Sequence, residues 1–258
     1  MNALIESLQS WKDYRDDVKS SGLTLGFVPT MGALHEGHLE LIRKARQETD
    51  CVVVSVFLNP TQFNDPKDYE KYPKTLDRDR ELAADAGADV VFAPAKESLY
   101  PDGFNYKICE SQLSALMEGE HRPGHFDGVL TIVMKLFNLV KPDRAYFGEK
   151  DFQQLKLIEG MVEAFFLNIK IVPVPTVRES DGLAMSSRNA LLTESGRKQA
   201  PVFHQNLTRG QTAAEARNAL TEKGITVEYV EDYQDRRLGA VVIDNVRLID
   251  NVSIENTV

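Results

Sequence analysis

What most constrains this chain is an alternation. Short apolar runs at 24–28, 51–57, 90–92, 145–147 and 169–172 take turns with segments whose apolar residues recur at helical spacing. Each run suits a buried strand, the first bounded by Gly22 and Pro29. The intervening segments 38–49, 76–86, 129–140 and 152–167 place apolar residues at i, i+3 and i+4, and several stop at Gly, Asn or Pro. Repetition of this kind leads to a mostly parallel, doubly wound sheet. A Rossmann-like α/β domain is therefore expected over 1–175. After Pro173-Val174-Pro175 the texture changes to a polar loop, two charged helical stretches at 192–206 and 212–222, and short strands near 227–230 and 240–243. A smaller α+β C-terminal domain is expected over 176–258, and 64–74 reads as an exposed loop.

The chain has 258 residues, 42% of them hydrophobic, enough for a sizeable core. Thirty basic against thirty-nine acidic residues give a formal charge of −9, which argues against a nucleic-acid partner. The first eleven residues lack the basic start and apolar stretch of a secretion signal, and no run of about 18 apolar residues occurs, so the cytoplasm is the default location and no membrane partner is expected. Cys51 and Cys109 offer neither a disulfide framework nor a metal-ligand spacing.

In an open parallel sheet, ligands sit beyond the carboxyl ends of the strands, so the segments just after each strand are the ones to examine. The first reads M-G-A-L-H-E-G-H from Met31 to His38. His35 and His38, at i and i+3, share one face of a helix's first turn, where unpaired N–H groups and the helix dipole favour an anion. Gly37 lets a ring or a phosphate approach the backbone closely. Capping or a surface position is the plainer role for any one of these histidines. The second segment, F-L-N-P-T-Q-F, supplies the amides of Asn59 and Gln62 to hold a hydroxyl or carboxylate, or is an ordinary N-P turn.

The third, F-G-E-K-D-F-Q-Q, sets Lys150 to neutralise a phosphate, Asp151 to cap a helix or contact substrate, and Gln154 one turn further in. The fourth, R-E-S-D-G-L-A-M-S-S-R-N, offers Ser186, Ser187 and Arg188 to polyphosphate oxygens, or serves as a linker at the domain junction. His125, in H-R-P-G-H-F-D-G-V, either lines the cleft or caps a turn. Asp77 and Asp79 are candidate magnesium ligands, with simple solvation as the alternative.

Taken in register, P-T-M-G-A-L-H-E-G-H, N-P-T-Q-F, R-P-G-H-F-D-G-V, F-G-E-K-D-F-Q-Q-L and D-G-L-A-M-S-S-R-N closely resemble the pantothenate synthetase family of H-x-G-H nucleotidyltransferases, in order across 26–189. R-L-I-D-N at 247–251 resembles that family's C-terminal strand. The resemblance implies a homodimeric ligase. Pantoate's carboxylate attacks the α-phosphorus of ATP to give pantoyl adenylate and pyrophosphate, and the amine of β-alanine then displaces AMP to give pantothenate. It implies that Met31, Gly32, Ala33, Leu34, His35, Glu36, Gly37 and His38 contact ATP, with His38 as proton donor or phosphate stabiliser and His35 beside it. Gly148, Glu149, Lys150, Asp151, Val177, Met185, Ser186, Ser187 and Arg188 complete that site, Lys150 and Arg188 neutralising phosphates. Gln62 and Gln154 hold pantoate, Asn59 supports that pocket, and Mg2+ accompanies ATP.

Neither step needs a protein nucleophile, so catalysis would rest on positioning and charge. Two departures stand out: the segment after Asn189 reads as shorter than the family's, trimmed between Thr208 and Ile243, and Arg78 separates Asp77 from Asp79 where some relatives carry an acid. The rival readings are an adenylyltransferase that stops at the nucleotide adduct, which would call for a second basic cluster, and a nucleotide sensor that has lost turnover. A tRNA-charging role is disfavoured by the acidic charge and the lack of an anticodon-sized domain.

Overall fold

The computed structural model describes residues 2–64 and 66–254. Chain order begins β1 (Ala3–Ile5), α1 (Leu8–Ser20), β2 (Leu25–Thr30), α2 (Glu36–Glu48), β3 (Cys51–Val56), α3 (Pro66–Lys71), α4 (Leu76–Asp85), β4 (Val90–Phe92) and α5 (Lys96–Leu99). It continues with α6 (Glu118–His121), α7 (His125–Val140), β5 (Arg144–Gly148), α8 (Phe152–Ala164) and β6 (Lys170–Val174). The last part comprises α9 (Glu194–Gln199), α10 (Pro201–Arg209), α11 (Ala213–Glu222), β7 (Thr226–Tyr233), β8 (Arg236–Ile243) and β9 (Val246–Ser253). The first six strands form one sheet in the order β1-β4-β3-β2-β5-β6, every pairing parallel, and the last three form a separate antiparallel sheet. This is the expected Rossmann-like, doubly wound fold with a smaller α+β part.

The central strands read as near-continuous apolar runs because both their faces are covered. Side-chain alternation divides each strand between two cores. Phe27, Val53, Phe92 and Phe147 pack with Trp11 of α1, Leu130 and Phe137 of α7 and Ile158 of α8. Val28, Val54, Val91 and Tyr146 pack with Ile42 and Ala45 of α2 and Ala83 of α4. A third core, from Leu183 to Val252, joins α10 and α11 to one face of the small sheet. Tyr229, Leu238 and Ala240 turn the opposite way and enter the first core.

The strand order reverses between β2 and β5, where a doubly wound sheet offers its ligand crevice. Their ladder is short, with Gly26 opposite Arg144 and Phe27 opposite Ala145, whereas β2 and β3 stay paired from Leu25–Cys51 to Thr30–Val56. Pro29 has no N–H with which to extend a ladder. β2 and β5 therefore part toward their carboxyl ends, and the cleft opens there. The stretch expected to be a loop at 64–74 contains α3, a single helical run too short and too charged to display a period.

Candidate active site

The turn after β2 is held from below. Gly32 and Ala33 both have positive φ, +85° and +52°, the second a strained conformation for a residue with a Cβ. Asp79, 1% exposed, receives the N–H of Ala33 on one carboxylate oxygen at 3.0 Å and that of Leu34 on the other at 2.8 Å, with the Thr75 hydroxyl also donating at 3.1 Å. The expected Asp77–Asp79 metal pair gains no support from this arrangement. Both oxygens of Asp79 are occupied by backbone and hydroxyl donors, and among the described residues no group of three or more His, Cys, Asp or Glu side chains is arranged to hold a metal ion. Solvation, the alternative for these acids, fails for Asp79.

From that turn, α2 begins with a reciprocal cap made of two imidazoles. His35 Nδ1 accepts the N–H of Gly37 at 3.2 Å, and His38 Nδ1 accepts the N–H of His35 at 3.3 Å. The rings lie 4.0 Å apart, centroid to centroid. A Cβ on residue 37 would stand 2.9 Å from the His35 ring, so glycine is what lets the first ring fold back. A nitrogen that accepts carries no proton, so each neutral ring bears its N–H at Nε2. Burial, then the neighbouring His35 and Lys150, push the His38 pKa down to about 3. Burial, then Lys150, lower that of His35. Both rings are neutral donors at pH 7.

These rings line a cleft of about 240 Å³ together with Met31, Asn59, Gln62, Gly148, Lys150, Asp151 and Gln154. Val177 and 185–188 close it from the C-terminal side. Four segments far apart in sequence thus meet at one crevice. Asn59, 1% exposed, donates to Gln62 Oε1 at 3.1 Å and to the Gly128 carbonyl at 3.1 Å, while its own oxygen accepts the Tyr100 hydroxyl at 2.7 Å. Its amide therefore aims the Gln62 side chain. Of the adjacent glutamines, Gln154 lines the cleft, whereas Gln153 is buried in bonds to Glu118 N–H and the carbonyls of Leu113 and Leu116. Ser186 caps the turn that follows it by accepting the Arg188 N–H at 3.2 Å.

Other expected site residues lie outside the lining. Gly32, Ala33 and Leu34 form the turn just described. Glu36 is exposed and ion-paired with Arg43 of its own helix. Glu149 accepts from Arg236 at 2.8 Å, facing the small sheet. His125 is buried, its Nδ1 2.9 Å from the Gln62 carbonyl, so its place is under the Gln62 turn rather than in the cleft wall. Sequence reasoning did not find Tyr72, which lines the cleft in contact with the Ser187 hydroxyl, nor the apolar wall of Val129, Ile132, Val133 and Leu136. The wall had a signal: α7 buries eleven of its sixteen residues, on more of its circumference than one core uses. Tyr72 had none.

The Pantoate-beta-alanine ligase family model matches residues 3–253. The chain belongs to the pantoate–β-alanine ligase family. It is 57% identical over 246 residues to the pantothenate synthetase of Bdellovibrio bacteriovorus, covering 95% of this chain and 96% of that protein. The crystal structure of the Thermus thermophilus pantothenate synthetase superposes with a TM-score of 0.89 at 41% identity, covering 97% of this chain and 99% of that one. A Francisella tularensis pantoate–β-alanine ligase, complexed with β,γ-ATP and β-alanine, superposes with a TM-score of 0.92 at 40% identity over 98% of each chain. With so nearly complete a coverage, the trimming expected between Thr208 and Ile243 is not found relative to these pantoate–β-alanine ligases. Like them, the chain is a ligase. Among its described residues no helix is long and apolar enough to cross a membrane.

Proposed function

We propose that the cleft at the β2–β5 opening carries out the family's ligation on this chain, ATP taking the side of His35, His38, Lys150 and 185–188, and pantoate the side of Gln62, Gln154 and the α7 wall. The observation that carries this reading is that one cleft is lined both by cationic and donor groups, His35, His38, Lys150 and Arg188, and by an apolar set from α7 together with two amides, Gln62 and Gln154. A branched hydroxy acid presents methyl groups to Val129, Ile132, Val133 and Leu136 while its oxygens bond the glutamine amides. Its carboxylate then stands beside the α-phosphorus.

In the first step a pantoate carboxylate oxygen bonds to the α-phosphorus as the bond to the bridging oxygen of pyrophosphate breaks. Negative charge grows on the departing phosphates, where Lys150, Arg188 and the serine hydroxyls neutralise it, and the neutral Nε2–H groups of His35 and His38 donate to phosphate oxygens. In the second step the β-alanine nitrogen bonds to the acyl carbon, AMP leaves with the bonding pair, and the nitrogen loses a proton. Orientation supplies much of the rate in both steps, since no protein nucleophile takes part.

Magnesium enters this reading with ATP, held by its phosphates, because Asp79 is otherwise engaged and no group of three or more His, Cys, Asp or Glu side chains is arranged as a cage among the described residues. Residues 176–258 are read as the C-terminal lid domain that closes over ATP through 177–188, residues 1–175 as the nucleotide- and pantoate-binding domain; the homodimer is carried over from the family resemblance, and the cytoplasmic location from the sequence reading. The deciding experiment mixes enzyme, ATP, magnesium and pantoate with and without β-alanine. Pyrophosphate and a bound adenylate without the amine, then AMP and pantothenate once it is added, are expected. No pyrophosphate in either case would leave a nucleotide sensor.

A further inference from the structure

One motif remains without a role in this scheme: the R-L-I-D-N at 247–251, which β9 carries. Asn251 is 2% exposed, and its side-chain amide donates to two successive carbonyls, Glu149 at 2.8 Å and Lys150 at 2.9 Å. Those carbonyls bracket the residue whose ammonium enters the cleft. Asn251 is itself held on every side. Its N–H donates to Asp250 Oδ1 at 2.8 Å, its carbonyl accepts from Arg178 at 3.1 Å, and its side-chain oxygen accepts from Arg236 at 3.3 Å.

Asp250 adds the second half of the arrangement. Its carboxylate, 4% exposed, takes both guanidinium nitrogens of Arg178, at 2.7 and 3.0 Å. Arg178 also donates to the Gly182 carbonyl at 3.1 Å, and residue 178 bridges residue 184 in the segment that leads to Ser186, Ser187 and Arg188. Two walls of the cleft, one bearing Lys150 and the other Arg188, are therefore tied to the same two residues of one strand. The tie consists of buried hydrogen bonds and a bidentate ion pair, the contacts best suited to fixing geometry.

We propose that Asn251 is a positioning residue for adenylation, holding the Lys150 backbone in register with the Ser186–Arg188 wall that Arg178 and Asp250 anchor to the same strand. This rests on the proposed ligation. It carries a specific consequence: once pyrophosphate has left, the charge that Lys150 neutralises is gone, so attack by β-alanine on the finished adenylate depends far less on Asn251.

The test is Asn251→Asp, which keeps the shape but sets an anion against two carbonyl oxygens, with Asn251→Ala beside it. Pantoate-dependent exchange of labelled pyrophosphate into ATP should fall about 10- to 100-fold, the scale on which a misplacement of about 1 Å acts. Conversion of supplied pantoyl adenylate by β-alanine should change by no more than about twofold, with the KM for β-alanine unaltered. In a Lys150→Ala background the same substitutions should lower exchange by no more than about a further twofold, because a residue acting through Lys150 has nothing left to position. Equal loss of both half-reactions, or losses that multiply with Lys150→Ala, would overturn the proposal. So would failure of both variants to fold by circular dichroism, which would make Asn251 a determinant of the fold. Wild-type protein without exchange would instead remove the ligation reading itself.

Discussion

His35 and His38 spend one nitrogen each on the helix cap, and this decides how they respond to pH. With the His38 pKa pushed down to about 3 by burial, the ring stays neutral through the range in which free histidine titrates. Pyrophosphate exchange under saturating magnesium should thus lack an inflection near pH 6.5 attributable to this ring; a step there that His38→Gln abolishes would contradict the neutral-donor assignment. The sign for stability follows from the same depression. Below about 6.5 the unfolded chain takes up a proton at His38 that the folded chain refuses, so stability falls as pH drops from 6.5 toward 3, by up to about 1.4 kcal/mol per pH unit for this ring. Urea midpoints at pH 7 and 5 should therefore differ more for wild type than for His38→Gln, whose glutamine still suits a capping box. Asp79 gives a second prediction at this scale. Asp79→Asn would turn an amide toward two backbone N–H groups, costing about 1–3 kcal/mol and raising the KM for ATP, with no recovery at high magnesium. Asp77→Asn, measured beside it, should do little. Recovery of Asp79→Asn by magnesium would restore the metal-ligand role.

Among the elements, α7 does most to shape the substrate half of the cleft, and it does so by close approach. The backbone at Gly128 runs so near the turn after β3 that a Cβ would stand 2.4 Å from the Thr61 carbonyl oxygen and 2.9 Å from the Gln62 nitrogen. Gly128→Ala must push this turn away, carrying off the Gln62 amide that Asn59 aims. The expected result is a KM for pantoate raised about tenfold or more with the KM for ATP nearly unchanged, read from initial rates with each substrate varied. A parallel rise in both would mean that the whole cleft, not one wall, had moved. The sequence carried α7 only from 129, because the helical period is legible there while its first turn, H-F-D-G, mixes buried and polar groups. α1 and β1 escaped for related reasons. β1 has three residues, too few for any period, and α1 buries only Trp11 and Val18 along a polar helix. The four central strands, β2 to β5, were legible because burial on both faces leaves little but apolar residues to write them with.

For the molecule as a whole, the question is what locks the small sheet against the large one, and this was the least legible feature of the sequence. Glu118 in α6 and Arg247 in β9 are 129 positions apart, and no local pattern relates them. In the fold Arg247 reaches Glu118 through two nitrogens at 2.8 and 2.6 Å, the Tyr229 hydroxyl donates at 3.1 Å, and Arg122 stands 3.6 Å away. Burial works against the Glu118 charge, yet these partners hold its carboxyl below the ordinary range. Arg122 also donates to the Gln62 carbonyl at 3.2 Å, so the lock between sheets touches the substrate turn. Breaking such a pair from one side strands a buried charge, whereas replacing both partners does not. Arg247→Met alone should cost about 3 kcal/mol or more in urea unfolding, since it leaves the Glu118 carboxylate short of its strongest partner. Adding Glu118→Gln to it should cost much less than the two single losses combined, giving a coupling of about 1–3 kcal/mol. Losses that simply add would mean that the two side chains stabilise the junction independently, each through its other contacts, Glu228 for Arg247 and Tyr229 for Glu118.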